Sequence, residues 1–254
     1  MAICREGQKV SPRGIDTVEM LHGQLVSVDL SRAVVTSPAR KLSAQFMAAE
    51  ALWIVNGQND LASLARFAPS YGRFSDDGVT LNGAYGPKVR AQTPYVVQQL
   101  SKDRDTRQAV LTIWERNPLP SKDIPCTVAM SFSIRRDLLH LHVFMRSSDG
   151  WMGLPYDMFS FATVALFVAC MHNWGLPREL TVGLGTMTIN ATSSHLYLKD
   201  IDKVKEVLES DPGPVPEPTP DALVRKGDWE TLRRDLMALR EGTADETCQW
   251  RPLP

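Results

Sequence analysis

The chain has 254 residues, 43% of them hydrophobic and 22% charged, so it is long enough for one large or two small globular domains. A formal net charge of −1, from 28 basic and 29 acidic residues, argues against broad electrostatic binding of nucleic acid or an acidic membrane. Cys4, Cys126, Cys170 and Cys248 form no CxxC pair and none stands at metal-ligand spacing with a histidine, so mostly reduced thiols and no metal are expected.

No apolar run reaches about 18 residues, so no membrane span is expected. The opening residues lack the apolar centre of a signal peptide, and a cytosolic protein is expected. Residues 11–17 read as a turn with one basic side chain: either a solvated loop or an anion clasp in which Arg13 offers a planar fork of donors. Short strands are expected over 18–36, where Val26, Val28 and Leu30 alternate. Residues 43–55 have apolar positions at helical spacing and stop at Asn56-Gly57. Glu50 interrupts that helix, either as an edge carboxylate or as a buried functional one.

A second helix and a loop are expected over 58–80. The glycines and proline around Tyr85 suggest either a loop fixed near a site or a plain connection. A short helix over 95–102, a strand over 109–114 and a hairpin pairing 128–134 with 139–145 come next. Residues 159–174 read as a central apolar helix ended by Gly175 and Pro177. A strand over 180–190 precedes Ser193-Ser194-His195-Leu196-Tyr197, read locally as a helix start. A proline-rich connector at 211–220 leads to a charged amphipathic helix over 228–240. Mixed strands and helices make the fold class α+β. A domain over 1–210, with 211–254 as connector and tail, is the expected division.

Several residues carry chemistry in sequence order: Arg13, Glu50, Tyr85, Arg107, Cys126, Arg146-Ser147-Ser148-Asp149, Asp157, His195 and Tyr197. The set resembles the thymidylate synthase family over about residues 10–205. Pro125-Cys126, Arg146 to Asp149 followed by Gly153-Leu154-Pro155-Tyr156-Asp157, and His195-Leu196-Tyr197 are its most specific parts. Glu50-Ala51-Leu52-Trp53 and Tyr85-Gly86 are similar to two further family segments. Any one of these is weak; their order and spacing are not.

The chemistry accounts for the residue types. A thiolate added to pyrimidine carbon 6 makes carbon 5 nucleophilic, and Cys126 is the cysteine in a site-like context. Nearby positive charge populates that thiolate. The resemblance implies that Arg146, Ser147, Ser148, Arg13 and Arg107 bind the nucleotide, Arg107 from the partner subunit of a homodimer whose sheet faces meet. It implies that Glu50 handles water and protons, that Tyr85 assists at carbon 5, and that His195 and Tyr197 hold the sugar hydroxyl. It also implies 5,10-methylenetetrahydrofolate as one-carbon donor, with Asp149, Gly153 and Tyr156 at the folate. A phage-encoded chain would act in its host's cytoplasm.

Two departures from the family stand out besides Gln108, which follows Arg107 where a second arginine is usual. Thr127 replaces the histidine that usually follows the cysteine. Asp157 replaces the asparagine that suits uracil. An ionised aspartate accepts hydrogen bonds only, which matches the cytosine amino group and a protonated N3. The alternative, a helix N-cap at Asp157, would be served equally by asparagine. The resemblance is therefore closest to the cytosine-specific dCMP hydroxymethylases. The expected reaction is 5-hydroxymethylation of dCMP through a Cys126–C6 adduct. A dCMP methyltransferase is the nearest alternative. CMP or dUMP as substrate, a non-catalytic nucleotide binder and a cysteine hydrolase follow.

Overall fold

The computed structural model describes residues 2–251, by backbone alone at residues 2 and 22–26. The side chain of Val26, expected to alternate with Val28, and the last three residues of the expected tail lie outside that description. In chain order the elements are α1 (Ala2–Glu6), β1 (Gln8–Val10), β2 (Thr17–Asp29), α2 (Ala44–Val55), α3 (Gly86–Lys102), β3 (Val110–Thr112), β4 (Thr127–Arg135), β5 (Leu138–Asp149), α4 (Leu154–Asn173), β6 (Gly183–Tyr197), α5 (Ile201–Glu209), α6 (Asp221–Lys226) and α7 (Trp229–Glu241).

The strands form one mixed sheet in the order β1-β2-β6-β5-β4-β3, antiparallel except for the parallel pair β5 and β6. This is the α+β architecture expected. Alternation decides which face is buried. Leu139, Leu141, Val143 and Met145 of β5 join Met187, Ile189 and Ala191 of β6 in the core. The opposite face carries His140, His142, Thr188 and Asn190, all partly exposed, with Phe144 at 43% exposure. Across that face His142 Nε2 and Asn190 Oδ1 lie 2.6 Å apart.

The hairpin forms as its sequence predicts. Arg136 and Asp137 both have positive φ, 52° and 56°, the geometry that matches strand twist in a two-residue turn. Helix α2 starts where Ser43 Oγ accepts the Phe46 amide, and it ends at Asn56. From Phe46 to Val55 every residue except Glu50 is buried. Helix α4 has an apolar surface all round, so it meets a length and composition test for a membrane span. Its most apolar window is 72% buried inside the protein, as a core helix is.

Three expectations change. Residues 58–80 form no α-helix; an Asp60–Thr80 bridge closes a loop that holds only the 3-10 turn Pro69–Phe74. Asp60 and Asp77 accept backbone N–H groups there, so local side chains compete with helix hydrogen bonds. Helix α3 begins at Gly86, well before residue 95, because Pro87 lies in its first turn, where no N–H is needed, and Pro94 is accommodated inside. Residues 193–197 continue β6 rather than opening a helix. Ser194 and Leu196 are buried while Ser193, His195 and Tyr197 are partly exposed, a period of two maintained by pairing with both β2 and β5.

The C-terminal segment packs on the core. Asp235 Oδ2 accepts the amides of Gln249 and Trp250 at 2.9 and 3.0 Å. The Trp250 ring then stacks on Phe159 of α4, with centroids 6.0 Å apart.

Candidate active site

Cys126 sits immediately before β4, partly buried, at the end of the sheet where β5 runs out toward α4. Antiparallel pairing sets Arg146 beside it: the Arg146 amide donates to the Cys126 carbonyl at 2.8 Å. The guanidinium reinforces this, Nε donating to Pro125 O at 2.9 Å and Nη2 to Ile124 O at 2.8 Å. Burial raises the thiol above its ordinary range. The Arg146 charge opposes that shift, Asp157 and Asp123 add to it, and Arg13 opposes it again.

Beyond Arg146, Ser147 Oγ and His195 Nδ1 are 3.3 Å apart. Parallel register sets Ser147 opposite Ser193, and Asp149 opposite His195. The rings of His195 and Tyr197 lie edge to face at 5.4 Å. Burial lowers the His195 pKa, Asp149 and Glu19 oppose that, and Arg13 and Arg146 reinforce it. Pairing of Thr17 with Tyr197, and the Leu198 amide donating to the Asp16 carbonyl, place the Arg13 loop at this end of the sheet. That loop is bent by positive φ at Arg13 and Gly14, 55° and 76°, and the Arg13 side chain is exposed. Ser148 differs from Ser147: strand alternation buries it, and its hydroxyl has no partner among the described residues.

Asp149 shapes the turn into α4. Its Oδ1 accepts the amides of Trp151 and Met152 at 2.9 and 3.2 Å, and its carbonyl accepts Gly153 N at 3.1 Å. Gly153 is the N-cap of α4, so Asp157 lies inside the first turn and does not cap the helix. The capping alternative is thereby removed. The Asp157 carboxyl makes no hydrogen bond among the described residues. Burial first, then the charges of Glu50 and Asp149, raise its pKa well above the ordinary carboxylate range.

Glu50 is partly buried and faces the same space. Tyr71 Oη donates to its Oε1 at 2.7 Å and Ser160 Oγ to its Oε2 at 3.4 Å. Burial raises Glu50, and these two hydrogen bonds hold the shift back. Tyr85 is stacked 6.3 Å from Phe161, and its phenol is raised by burial, then by the charges of Asp157 and Cys126. Tyr156 Oη accepts the Ser43 amide at 3.0 Å and so ties α4 to the start of α2.

Arg107 stands apart. It is exposed, two residues before Ala109, whose carbonyl accepts the Phe132 amide far along β4. At about 3.3 Å per strand residue, Phe132 is roughly 20 Å along the strand from Cys126, so Arg107 lies toward the far end of the strand from the cysteine.

Sequence reading missed three neighbours. Tyr71 lies in the 3-10 turn Pro69–Phe74. Asp123, three residues before the cysteine, accepts the Gly83 amide at 2.7 Å and so joins the Tyr85 loop to the cysteine loop. Arg40 lies 4.3 Å over the Trp151 ring and donates to the Trp151 carbonyl at 2.5 Å. No local motif marks any of them: long-range packing brings Tyr71 and Arg40 to the site, and Asp123, though close to the cysteine in sequence, is marked only by its contact with Gly83.

Comparisons with known proteins bear on the family and the fold. The thymidylate synthase family model matches residues 1–232, past the proline-rich connector and into α7. The chain is 31% identical over 246 residues to the deoxyuridylate hydroxymethyltransferase of Bacillus phage SP01, covering 85% of this chain and 62% of that protein. The same enzyme from Pseudomonas phage M6 is 30% identical over 169 residues, covering 63% and 46% of the two chains. That from Delftia phage PhiW-14 is 30% identical over 196 residues, covering 69% and 52%. The chain thus spans about half to three-fifths of the length of these relatives. Among solved structures, thermostable thymidylate synthase A from Bacillus subtilis superposes with a TM-score of 0.71 at 21% identity, covering 85% of this chain and 83% of that one. With the fold, the cysteine–arginine pair and the family match in agreement, the chain belongs to the thymidylate synthase family.

Proposed function

We propose that this protein transfers a one-carbon unit from 5,10-methylenetetrahydrofolate to carbon 5 of a pyrimidine deoxynucleotide, giving the 5-hydroxymethyl product, with dCMP as the substrate. Cys126 adds to carbon 6. Arg146, Ser147 and Arg13 hold the phosphate, and His195 and Tyr197 the sugar. Asp149, Gly153 and Tyr156 border the folate, and Tyr85 assists the proton at carbon 5. A second copy of the chain, meeting this one through the polar sheet face, would bring Arg107 to the phosphate. That role suits an arginine too far from its own cysteine.

The observation that carries the substrate is the carboxyl of Asp157, which has no hydrogen-bond partner among the described residues and whose charge interacts with those of Cys126 and Glu50. As a neutral acid it donates to cytosine N3 and accepts from the N4 amino group. Thiolate addition makes N3 more basic, so the proton passes to N3 and leaves a bidentate, charge-assisted pair. Such hydrogen bonds are roughly twice as strong as neutral ones. Uracil O4 is a far weaker base and gains no comparable pair.

A second reading is dUMP hydroxymethylation, favoured by the names of the phage relatives. A neutral Asp157 also accommodates it, with its hydroxyl on O4 and its carbonyl on N3–H. Incubation with methylenetetrahydrofolate and equimolar dCMP and dUMP, with products weighed by mass spectrometry, separates the readings. Hydroxymethyl-dCMP as the main product supports the proposal; hydroxymethyl-dUMP replaces the substrate; a methyl product replaces the water step. Cys126→Ser should abolish every product, and turnover that survives it overturns the covalent route.

A further inference from the structure

Tyr71 has no part in the roles assigned above, yet its hydroxyl makes the shortest contact to Glu50, 2.7 Å against 3.4 Å from Ser160. Its ring is fixed on two sides, edge to face with Phe46 at 5.6 Å and with Phe74 at 6.2 Å. A donor locked by packing orients its acceptor without ordering cost during the reaction. The phenol itself is no proton source: burial, then the Glu50 charge, raises its pKa far above the ordinary value.

We propose that Tyr71 is a positioning residue that holds Glu50 Oε1 so that Oε2 faces the water that captures the carbon 5 methylene, biasing the product toward hydroxymethyl rather than methyl. This rests on the hydroxymethyl reading above. In the step, folate has left and the nucleotide carries an exocyclic methylene at carbon 5 with Cys126 still on carbon 6. The water oxygen bonds to the methylene carbon and Glu50 takes one water proton. The methylene electron pair moves into the ring, and the carbon 6–sulfur bond breaks to return the thiolate and the 5,6 double bond. No oxidant or reductant is involved. Of the carboxyls around this space, Asp157 is committed to the base edge and Asp149 to the amides of Trp151 and Met152, which leaves Glu50 for the water.

Glu50 must be ionised to act as base, and the Tyr71 hydrogen bond stabilises that form. Removing the hydroxyl moves Glu50 further toward its neutral acid, so the acid limb of kcat moves to higher pH. The test is Tyr71→Phe in the full chain, which keeps the ring against Phe46 and Phe74. The expected result is an unchanged nucleotide KM, a kcat lower by on the order of ten- to a hundredfold, an acid limb shifted upward and a larger methyl fraction in the product. Ser160→Ala removes only the longer bond and should shift the limb the same way by less. It also serves where the ring variant fails to fold. Wild-type kcat, limb and product ratio in Tyr71→Phe, or an unshifted limb in Ser160→Ala, would overturn the inference. A wild-type enzyme that makes no hydroxymethyl product would instead remove the reading on which it rests.

Discussion

The Arg146 amide donates to the Cys126 carbonyl at 2.8 Å while its guanidinium donates to Pro125 and Ile124. The phosphate-binding candidate is thus also the brace of the loop that presents the nucleophile. Replacing it has two separable effects. Arg146→Ala should raise the nucleotide KM by about ten- to a hundredfold through loss of charged hydrogen bonds. It should also move the pH midpoint of Cys126 alkylation upward, because the charge that opposes burial is gone. Arg146→Lys restores the charge but not the fork. Alkylation should therefore recover more fully than KM, and titration with iodoacetamide beside steady-state kinetics checks both.

Asp157 yields a prediction in pH. Its folded pKa lies well above the ordinary value of 3.8, with burial the largest cause. The folded state therefore holds a proton that the unfolded chain releases, and this group's contribution to stability is lost as pH rises from near 3.8 toward the folded pKa. Asp157→Asn has nothing to ionise. It should melt at a higher temperature than wild type at neutral pH, with the gap closing as pH falls to about 4. The same variant lacks the proton that cytosine N3 needs, so turnover of dCMP should fall on the order of a hundredfold or more while dUMP is spared. Melting curves across pH and paired kcat/KM values measure the two effects.

Much of the site was legible because its residue types are dictated by chemistry in short segments. Pro125-Cys126, Arg146 to Asp149 and Gly153 to Asp157 each lie within one turn or one strand end; the end of β5 carries the second group and the start of α4 the third. The upward pKa shift of Asp157 was not legible, since it depends on burial and on the charges of Glu50 from α2 and Asp149 from β5. Residues 193–197 misled for a related reason: a serine pair before an apolar residue resembles a helix start, and only pairing on both sides keeps that segment a strand. Tyr71 and Asp123 stay invisible in sequence because each acts on a residue of another segment, Glu50 and Gly83.

The C-terminal latch predicts a stability effect with a spectroscopic mark. Asp235 is 2% exposed and spends one oxygen on two backbone amides of the tail. Asp235→Ala leaves both N–H groups without that acceptor and should cost about 1–3 kcal/mol. Trp250 then leaves Phe159 and meets water, so its fluorescence should shift to the red. Asp235→Asn retains an acceptor oxygen and should lose less on both counts.

Asp123 links two loops and also carries a charge near the thiol, and substitution separates the two roles. Its Oδ2 accepts the Gly83 amide at 2.7 Å, and there is no room between them: a Cβ on Gly83 would lie 2.8 Å from Oδ1 and 2.9 Å from the Asp123 carbonyl oxygen. Gly83→Ala must therefore push the Tyr85 loop away from the cysteine loop. Because the clash is with backbone as well as side chain, kcat should fall even where the protein remains folded. Asp123→Asn keeps an oxygen for the Gly83 amide but removes a negative charge that raises the Cys126 pKa. Its alkylation midpoint should move to lower pH, the reverse of Arg146→Ala, with little change in melting temperature. A midpoint that stays put in Asp123→Asn would mean that the carboxyl serves the loop alone.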